Sequence, residues 1–189
     1  MIELVFQAEP RDGEAARVRV AAEHVLLVGY TGRDRAKVME HIHELAQVGV
    51  APPPLVPMIY TVPPRLLSTG SSIEVRGAQT SGEAEVYFLH SDRGLLVGVG
   101  SDHTDRKAEA IDVAHSKGLC AKVLSPEVWF YDELADGWDA LELRSWVTDG
   151  AGRRLYQEGT LVEFMPLTKL LDEVRAAGHK ALTHTVIFG

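Results

Sequence analysis

The sequence has 189 residues, a formal net charge of −8 and charged side chains at 24% of its positions. This length predicts one domain over residues 1–189, large enough for a substantial core. The acidic balance argues against nucleic-acid binding through phosphate contacts, and no apolar run reaches the roughly 20 residues that span a membrane. The amino terminus lacks an export signal and the chain has one cysteine, so we expect a cytoplasmic protein.

The first third of the chain alternates short apolar runs with one helix. The apolar runs predict strands at 2–7, 15–21 and 23–29. Thr31 and Asp34 supply capping chemistry for the helix, which we expect to end at Gly49. On a helical wheel Arg35 lies at the centre of the apolar face.

The middle of the chain carries its most specific pattern. Residues 83–88 alternate with a period of two, which predicts a strand with one apolar face and one acidic, aromatic face. Ser91–Gly94 predicts a hairpin turn before a glycine-containing return strand. A turn of even length places Glu83 opposite Asp102, whereas an odd length would move Asp102 to the other face.

Glu83, Glu85 and Asp102 therefore form a candidate metal site. Opposed side chains lie about 4.5–5.5 Å apart at Cβ, and like charges this close require a cation or a proton. Hard oxygen ligands favour Mg²⁺, Mn²⁺ or Ca²⁺ over zinc. Gly98 and Gly100 leave space opposite Glu85, which suits close approach of a ligand or another chain. The alternative is that the two glutamates are solvated charges on an exposed strand face.

The rest of the chain predicts two more helices and several short strands. The helices are predicted at 104–116 and 166–177, with Gly118 and Gly178 ending them. The strands are predicted at 58–62, 129–132, 141–148, 161–164 and 183–188. Many short strands with three interspersed helices predict an α+β fold with a mixed sheet.

Two segments of this pattern resemble the metal-binding signature of the fumarylacetoacetate hydrolase superfamily. In that signature an E-x-E strand precedes a glycine-rich strand and an N-D-x-[ST]-x-R segment. The matching segments are Gly82-Glu83-Ala-Glu85-Val and Gly100-Ser-Asp102-His-Thr-Asp-Arg106. Further similarity covers a lysine and Pro-Trp segment, at Ser116-Lys117 and Pro126–Trp129, and an R-Q-x-G-x-T turn, at Tyr156–Thr160. The segment GVGSDHTDR is similar to sequences of an uncharacterised bacterial branch of this superfamily, a domain of unknown function.

The resemblance implies a fold, a cofactor and an activity. It implies a mixed β-sandwich roll of the fumarylacetoacetate hydrolase C-terminal-domain type, a homodimer, and Mg²⁺ or Mn²⁺ on Glu83, Glu85 and Asp102. Members of the superfamily act on small oxo acids and β-diketones, so we expect metal-dependent hydrolysis of a C–C bond in a small diketo or 2-oxo acid. The alternatives are hydration, tautomerisation or decarboxylation at the same metal, or a non-catalytic metal- or ligand-binding homologue.

The resemblance also implies roles for other side chains. Arg106 and Lys117 match catalytic positions that hold substrate or transition-state charge. Each residue also has an alternative role. Arg106 could form an ordinary salt bridge, and Lys117 could be a surface lysine that complements the dipole at a helix end. Glu109 and Gln157 match substrate-binding positions, although Glu109 stands where the superfamily has glutamine.

Three departures from the superfamily pattern bear on activity. Arg35 stands at the position of the catalytic histidine, and arginine can bind a substrate carboxylate but cannot act as a general base. His41 on the same helix is the candidate base, the alternative being a packed, hydrogen-bonded histidine. Ser101 replaces the asparagine before Asp102. The chain stops at Gly189, before a Gly-Thr-Pro-type loop that contacts substrate, so we expect a branch without that loop or a truncated sequence.

Overall fold

The structure is a computed structural model that describes residues 1–47 and 49–189. Within these residues, nine strands form one large sheet and four more form two small sheets. The strands are β1 (Ile2–Ala8), β2 (Ala16–Ala22), β3 (His24–Gly29), β4 (Met58–Val62), β5 (Leu67–Ser68), β6 (Thr80–Ser81), β7 (Ala84–Ser91), β8 (Gly94–Asp102), β9 (Thr104–Asp105), β10 (Lys122–Phe130), β11 (Glu142–Asp149), β12 (Gly152–Thr160) and β13 (Thr185–Phe188). The helices are α1 (Arg35–Gln47), α2 (Arg106–Glu109), α3 (Val113–Lys117), α4 (Tyr131–Leu134) and α5 (Leu167–Ala176), and short 3₁₀ helices cover Pro64–Leu66, Ala135–Ala140 and Leu161–Glu163.

The large sheet is mixed and draws its strands from both ends of the chain. Its order is β2-β1-β10-β8-β7-β13-β3-β4, and β5 pairs with β10 beside this path. The pairs β1–β10, β10–β5 and β13–β3 are parallel, and the others are antiparallel. The predicted α+β class and mixed sheet are confirmed. None of the helices in the described part of the chain has the length and apolar character needed to cross a membrane.

Buried apolar side chains cover both faces of the large sheet. On one face Tyr87 and Leu89 join residues of β1, β2 and β10. On the other face Val86 and Phe88 pack with residues of α5 and with Trp138. Because consecutive side chains of a strand point to opposite faces, β7 contributes to both cores. The strand that carries Glu85 is therefore held on both sides.

The β7–β8 hairpin has the register that the sequence predicts. Its turn is two residues long, and Glu85 pairs with Gly100. The backbone N–H of Asp102 donates to the carbonyl oxygen of Glu83 over 3.0 Å. Glu83 and Asp102 are thus opposite each other, as the even-length turn requires.

Gly98 and Gly100 allow other parts of the chain to pack closely against β8. A Cβ at Gly98 would lie 2.2 Å from the ring of Tyr87, and a Cβ at Gly100 would lie 2.6 Å from the carbonyl oxygen of Val123. The ring of Tyr87 packs in turn against Phe188, with 5.9 Å between their centroids. The expectation that these glycines leave space for a ligand or another chain is therefore wrong, because an aromatic ring and a neighbouring strand fill that space.

The helix predicted at 104–116 is divided in the structure. Its first residues form β9, which pairs with β6, and the remainder forms the separate helices α2 and α3. Asp105 caps α2 by accepting a hydrogen bond from the backbone of Ala108, and Asp112 caps α3 in the same way from His115. A capping aspartate in the middle of the pattern starts a second helix and ends the first.

Three other boundaries also differ from the predictions. The strand predicted at 161–164 is the 3₁₀ helix Leu161–Glu163, and the turn at Tyr156–Thr160 belongs to strand β12. The strand predicted at 129–132 begins earlier, since β10 runs over Lys122–Phe130 and α4 follows at once. These segments are short, and packing against the rest of the molecule decides their conformation.

Candidate metal centre

Three carboxylates meet at the end of the β7–β8 hairpin that lies away from its turn. Glu83 comes directly before β7, Glu85 is in β7, and Asp102 ends β8. One oxygen atom of each side chain lies within 4.8 Å of the corresponding atoms of the other two. Asp102 is only 2% exposed. The structure therefore brings together the three residues that the sequence predicts as metal ligands.

Glu83 is held by two basic side chains. Arg106 Nη1 lies 2.8 Å from Glu83 Oε1, and Lys117 Nζ lies 2.6 Å from Glu83 Oε2. Thr104 donates a hydrogen bond of 3.2 Å to the same Oε2 atom. Burial alone would raise the pKa of Glu83, but the charges and hydrogen bonds of Lys117 and Arg106 hold that pKa below its usual value. Glu83 is therefore ionised at neutral pH.

The environment of Glu85 shifts its pKa in the opposite direction to that of Glu83. Burial raises the pKa of its carboxyl group well above the usual value, and the negative charges of Asp102 and Glu83 add to this effect. The nearby charges of Lys117 and Lys122 oppose the shift without cancelling it. A third carboxylate at this distance is stable with a proton or with an additional cation.

Asp102 lies between two lysines. Lys117 Nζ is 2.6 Å from its Oδ2 atom, and Lys122 Nζ is 2.6 Å from its Oδ1 atom. Within residues 1–47 and 49–189, Oδ1 accepts no hydrogen bond of ordinary geometry. The ammonium group of Lys122 instead donates to the carbonyl oxygen of His103 over 2.8 Å, so its contact with Oδ1 is a contact of opposite charges.

These residues fit a hard divalent cation. Carboxylate oxygens are the ligands that Mg²⁺, Mn²⁺ and Ca²⁺ prefer, and binding of a cation would take the place of the proton on Glu85. A cavity of about 30 Å³ adjoins Glu85, Asp102 and Lys117, and Tyr60 forms part of its wall. This volume is enough for a single ion or water molecule. Glu83, Glu85 and Asp102 are thus the residues that would hold the metal.

Two tyrosines near the centre give no signal in the sequence. Burial, together with neighbouring charges, raises the pKa of Tyr60 to about 12, so its phenol group keeps its proton. Burial and the charge of Glu109 also raise the pKa of Tyr30. Tyr30 has a φ of 62°, a left-handed conformation that is unusual for a residue other than glycine. Strain of this kind is concentrated at functional sites.

Lys122 was also missed by the sequence analysis. It pairs with Asp102 across the β8–β10 ladder, and β10 comes from a later part of the chain. The sequence offers one signal for its burial: Lys122 stands among apolar residues in the run Cys120-Ala-Lys122-Val-Leu124. By contrast, the surface position considered for Lys117 is wrong, because Lys117 is 8% exposed and contacts two of the carboxylates.

Two predicted substrate-binding residues have definite contacts beside the centre. Glu109 accepts a hydrogen bond of 2.9 Å from Arg106, which therefore bridges Glu109 and Glu83. Gln157 Oε1 accepts hydrogen bonds from the backbone of Ala84 and from the hydroxyl group of Ser145, at 2.8 and 2.9 Å. Gln157 thus ties the β11–β12 hairpin to β7. Substrate binding by both residues stays a prediction.

Arg35 and His41 lie on α1, apart from the contacts described above. Arg35 is exposed and donates to the carbonyl oxygen of Val56 over 2.8 Å, so its predicted place on the buried face is wrong. It is the first residue of α1, and the buried positions of that helix are farther along. His41 is exposed, with Nδ1 3.6 Å from Glu44 Oε2, and it lines a groove of about 630 Å³ that also contains Tyr30. Catalysis by His41 and carboxylate binding by Arg35 stay predictions.

Comparison with known families settles where the chain belongs. Residues 28–189 match the family model described as Protein of unknown function (DUF2848). The chain belongs to this family. Among curated proteins, none matches the sequence at a significant level.

Several solved structures have the same fold, and one of them carries the family name that the sequence pattern suggests. A protein from Yersinia pestis CO92, assigned to the fumarylacetoacetate hydrolase family, has a TM-score of 0.65 and 17% identity over 97% of this chain and 86% of its own. Cg1458 with inhibitor has a TM-score of 0.68 and 16% identity over 92% of this chain and 68% of its own. The apo form of 2-keto-3-deoxy-D-arabinonate dehydratase has a TM-score of 0.62 and 16% identity over 94% of this chain and 65% of its own. These similarities confirm the fumarylacetoacetate hydrolase fold, and the chain spans about two thirds of the length of the last two proteins.

Proposed function

We propose that the chain is a divalent-metal-dependent enzyme that hydrolyses a C–C bond in a small diketo or 2-oxo acid. The observation that carries the proposal is the cluster of Glu83, Glu85 and Asp102, with one oxygen of each within 4.8 Å, in a fold shared with a dehydratase of a 2-keto acid. Mg²⁺ or Mn²⁺, when bound, would supply a Lewis acid that stabilises enolate charge on adjacent substrate oxygens. A homodimer, implied by the family resemblance, and a cytoplasmic location, expected from the sequence, are part of the same proposal.

Lys117 is the side chain best placed to hold developing negative charge. Burial alone would lower the pKa of its ammonium group, but Asp102 and Glu83 raise that pKa above its usual value. Lys117 therefore stays protonated next to the carboxylates. A fixed positive charge in a buried site stabilises an oxyanion much better than the same charge in water.

Arg106 has an orienting role in this proposal. Its guanidinium group joins Glu83 to Glu109 and also donates to Ser81 Oγ over 2.6 Å. These three contacts fix the direction of the Glu83 carboxylate. Hydrolysis also needs a base that activates water, and His41 in the groove beside Tyr30 is the candidate for that role.

A second reaction, decarboxylation of a 2-oxo acid, is favoured by one feature of the centre. Within the described residues no histidine ring forms a hydrogen bond or a salt bridge with any of the three carboxylates, and the nearest in sequence, His103, has its Nε2 atom 2.9 Å from Thr80 Oγ1. Loss of CO₂ produces an enolate directly, without a base-activated water molecule. The same metal ligands and Lys117 would serve both reactions.

The test of the metal centre is calorimetric titration with Mn²⁺ of wild type, Asp102→Asn and the matched control Asp92→Asn. Asp92 lies in the exposed turn of the same hairpin, so its replacement changes the net charge equally at the other end. We expect one binding site in wild type and in the control. In Asp102→Asn, and also in Glu83→Gln and Glu85→Gln, we expect Mn²⁺ affinity to fall at least about tenfold, because each variant loses a charged ligand and loss of a group that only orients a ligand already costs this much. Absence of binding by folded wild type would contradict the proposal.

Activity assays with the Mn²⁺-loaded protein separate the candidate reactions. Loss of the diketo absorbance of acylpyruvates would report C–C hydrolysis, and release of CO₂ from oxaloacetate would report decarboxylation. If His41 is the base, His41→Asn should slow hydrolysis and leave decarboxylation unchanged. Tight Mn²⁺ binding without turnover of any oxo acid would indicate a non-catalytic homologue.

A further inference from the structure

Lys122 has a position that the proposed reaction does not use. It is 0% exposed and begins β10, where it pairs with Asp102 of the neighbouring strand. An ammonium group without solvent is costly unless it is paired and hydrogen-bonded. Lys122 meets both needs, since Nζ lies 2.6 Å from Asp102 Oδ1 and donates to the carbonyl oxygen of His103 over 2.8 Å.

The two lysines that contact Asp102 are held in different ways. The Lys117 side chain is 10% exposed, ends a short helix and divides its contacts between Glu83 and Asp102. Lys122 is a strand residue inside the large sheet, and its second partner is a backbone carbonyl. Lys117 can therefore exchange one partner for another, whereas Lys122 is fixed against Asp102 Oδ1.

A fixed contact on one oxygen limits how Asp102 can bind a metal. With Lys122 against Oδ1, a cation would bind Oδ2. There it would take the place of Lys117, which lies 2.6 Å from Oδ2 and keeps Glu83 as its other partner. Mg²⁺ is octahedral and accepts carboxylates through one oxygen, and Mn²⁺ shares this octahedral oxygen coordination. Ca²⁺ takes roughly six to eight oxygens and gains from carboxylates that supply both.

The geometry points to Lys122 as a positioning residue that fixes Asp102 as a one-oxygen ligand and so sets a preference for Mg²⁺ or Mn²⁺ over Ca²⁺. This inference rests on the proposed function only in requiring that the three carboxylates bind a divalent cation. It needs neither a particular substrate nor turnover.

The test is separate titration of Mn²⁺ and Ca²⁺ into wild type, Lys122→Met and the control Lys107→Met, by calorimetry. Methionine has a similar length to lysine and no charge, and Lys107 is an exposed lysine of α2. Release of Asp102 Oδ1 should allow bidentate binding of Ca²⁺. We expect the ratio of Mn²⁺ to Ca²⁺ affinity to fall roughly 10–100-fold in Lys122→Met, the range typical of residues that orient metal ligands. The control should keep the wild-type ratio.

The outcomes distinguish this inference from the proposed function. If folded Lys122→Met loses affinity for both ions alike, Lys122 is a structural residue and the inference is overturned, while the metal site stands. If wild type binds neither ion, the metal site and the inference both fail. Should Lys122→Met not fold, a crystal structure of the wild type with Ca²⁺ decides the matter. Asp102 bound through one oxygen with Lys122 in place supports the inference, and bidentate Asp102 overturns it.

Discussion

At the scale of single residues, His90 is a half-buried titratable group near the end of β7 that lies away from the candidate metal centre. Within the part of the chain that the structure describes, its Nε2 atom is buried and has no hydrogen-bond partner. Burial, and secondly the charge of Arg175, lowers the pKa of His90 below its usual value of 6.5. The unfolded chain therefore takes up this proton more readily than the folded protein. The stability that neutral His90 contributes is present above about pH 6.5 and is lost as the pH falls.

Replacement of His90 by asparagine tests this linkage. The variant has no imidazole to protonate, so its free energy of unfolding should fall less steeply than that of wild type from about pH 7 to about pH 5. Urea denaturation at several pH values measures the slope. The control is the same replacement at His24, an exposed residue of β3. A slope in His90→Asn as steep as in wild type would contradict the assignment.

The three candidate metal ligands could be brought together from the sequence because their arrangement is local. Alternation along β7 and a two-residue turn are enough to place Glu83, Glu85 and Asp102 on one face. Lys122 was not predictable, because its approach to Asp102 depends on β10 lying beside β8 in the strand order. The prediction for Arg35 failed for a different reason: Arg35 is the first residue of α1, and the buried residues of that helix, Val38 and Ile42, lie farther along it.

At the scale of elements, the packing of β8 against Tyr87 requires glycine at position 98. The ring of Tyr87 occupies the space at Gly98, and the Tyr87 hydroxyl donates to the carbonyl oxygen of Ser125 over 2.7 Å. The ring is 0% exposed, so it cannot move away without disturbing the core. We expect Gly98→Ala to lower the free energy of unfolding by about 1–3 kcal/mol, the usual cost of overpacking.

Urea denaturation measures this cost, with Gly137→Ala as the matched control. A Cβ at Gly137 would meet no atom within 4 Å, so the control variant isolates the effect of adding a methyl group. Equal stability of the two variants would mean that Tyr87 adjusts freely. Metal affinity in Gly98→Ala should also weaken, since Gly98 lies in the strand that carries Asp102.

The elements themselves were predictable where the pattern is long and regular. Strand β4 was predicted at its observed bounds of Met58–Val62, and α5 within one residue at each end. The helix at 104–116 failed because its apolar spacing continues across Asp112, whereas the capping hydrogen bond of that residue starts a new helix. Hydrogen bonds of this kind depend on backbone conformation, which periodicity does not report.

At the scale of the whole molecule, two of the three predicted metal ligands, Glu85 and Asp102, belong to the central strands of the large sheet, and Glu83 comes directly before one of them. β7 and β8 lie in the middle of the strand order, and both faces of β7 are covered by apolar side chains. The mixed class of this sheet was predictable from many short strands with few helices, but the order of its strands was not, since pairs such as β1–β10 join distant parts of the chain. Opening of the centre therefore requires disruption of the main sheet, and metal binding should be linked to global unfolding.

This linkage gives a prediction for metal addition and removal. A ligand that binds only the folded state, at 100 times its Kd, adds about 2.7 kcal/mol to the free energy of unfolding. For a chain of 189 residues this corresponds to a rise in Tm of roughly 5–10 °C, which thermal denaturation with and without Mn²⁺ would measure. A chelator should reverse the rise, and Asp92→Asn should show it in full. Asp102→Asn should show a smaller rise, because it has lost a ligand and binds Mn²⁺ more weakly. An equal rise in that variant would mean that Mn²⁺ stabilises the protein elsewhere.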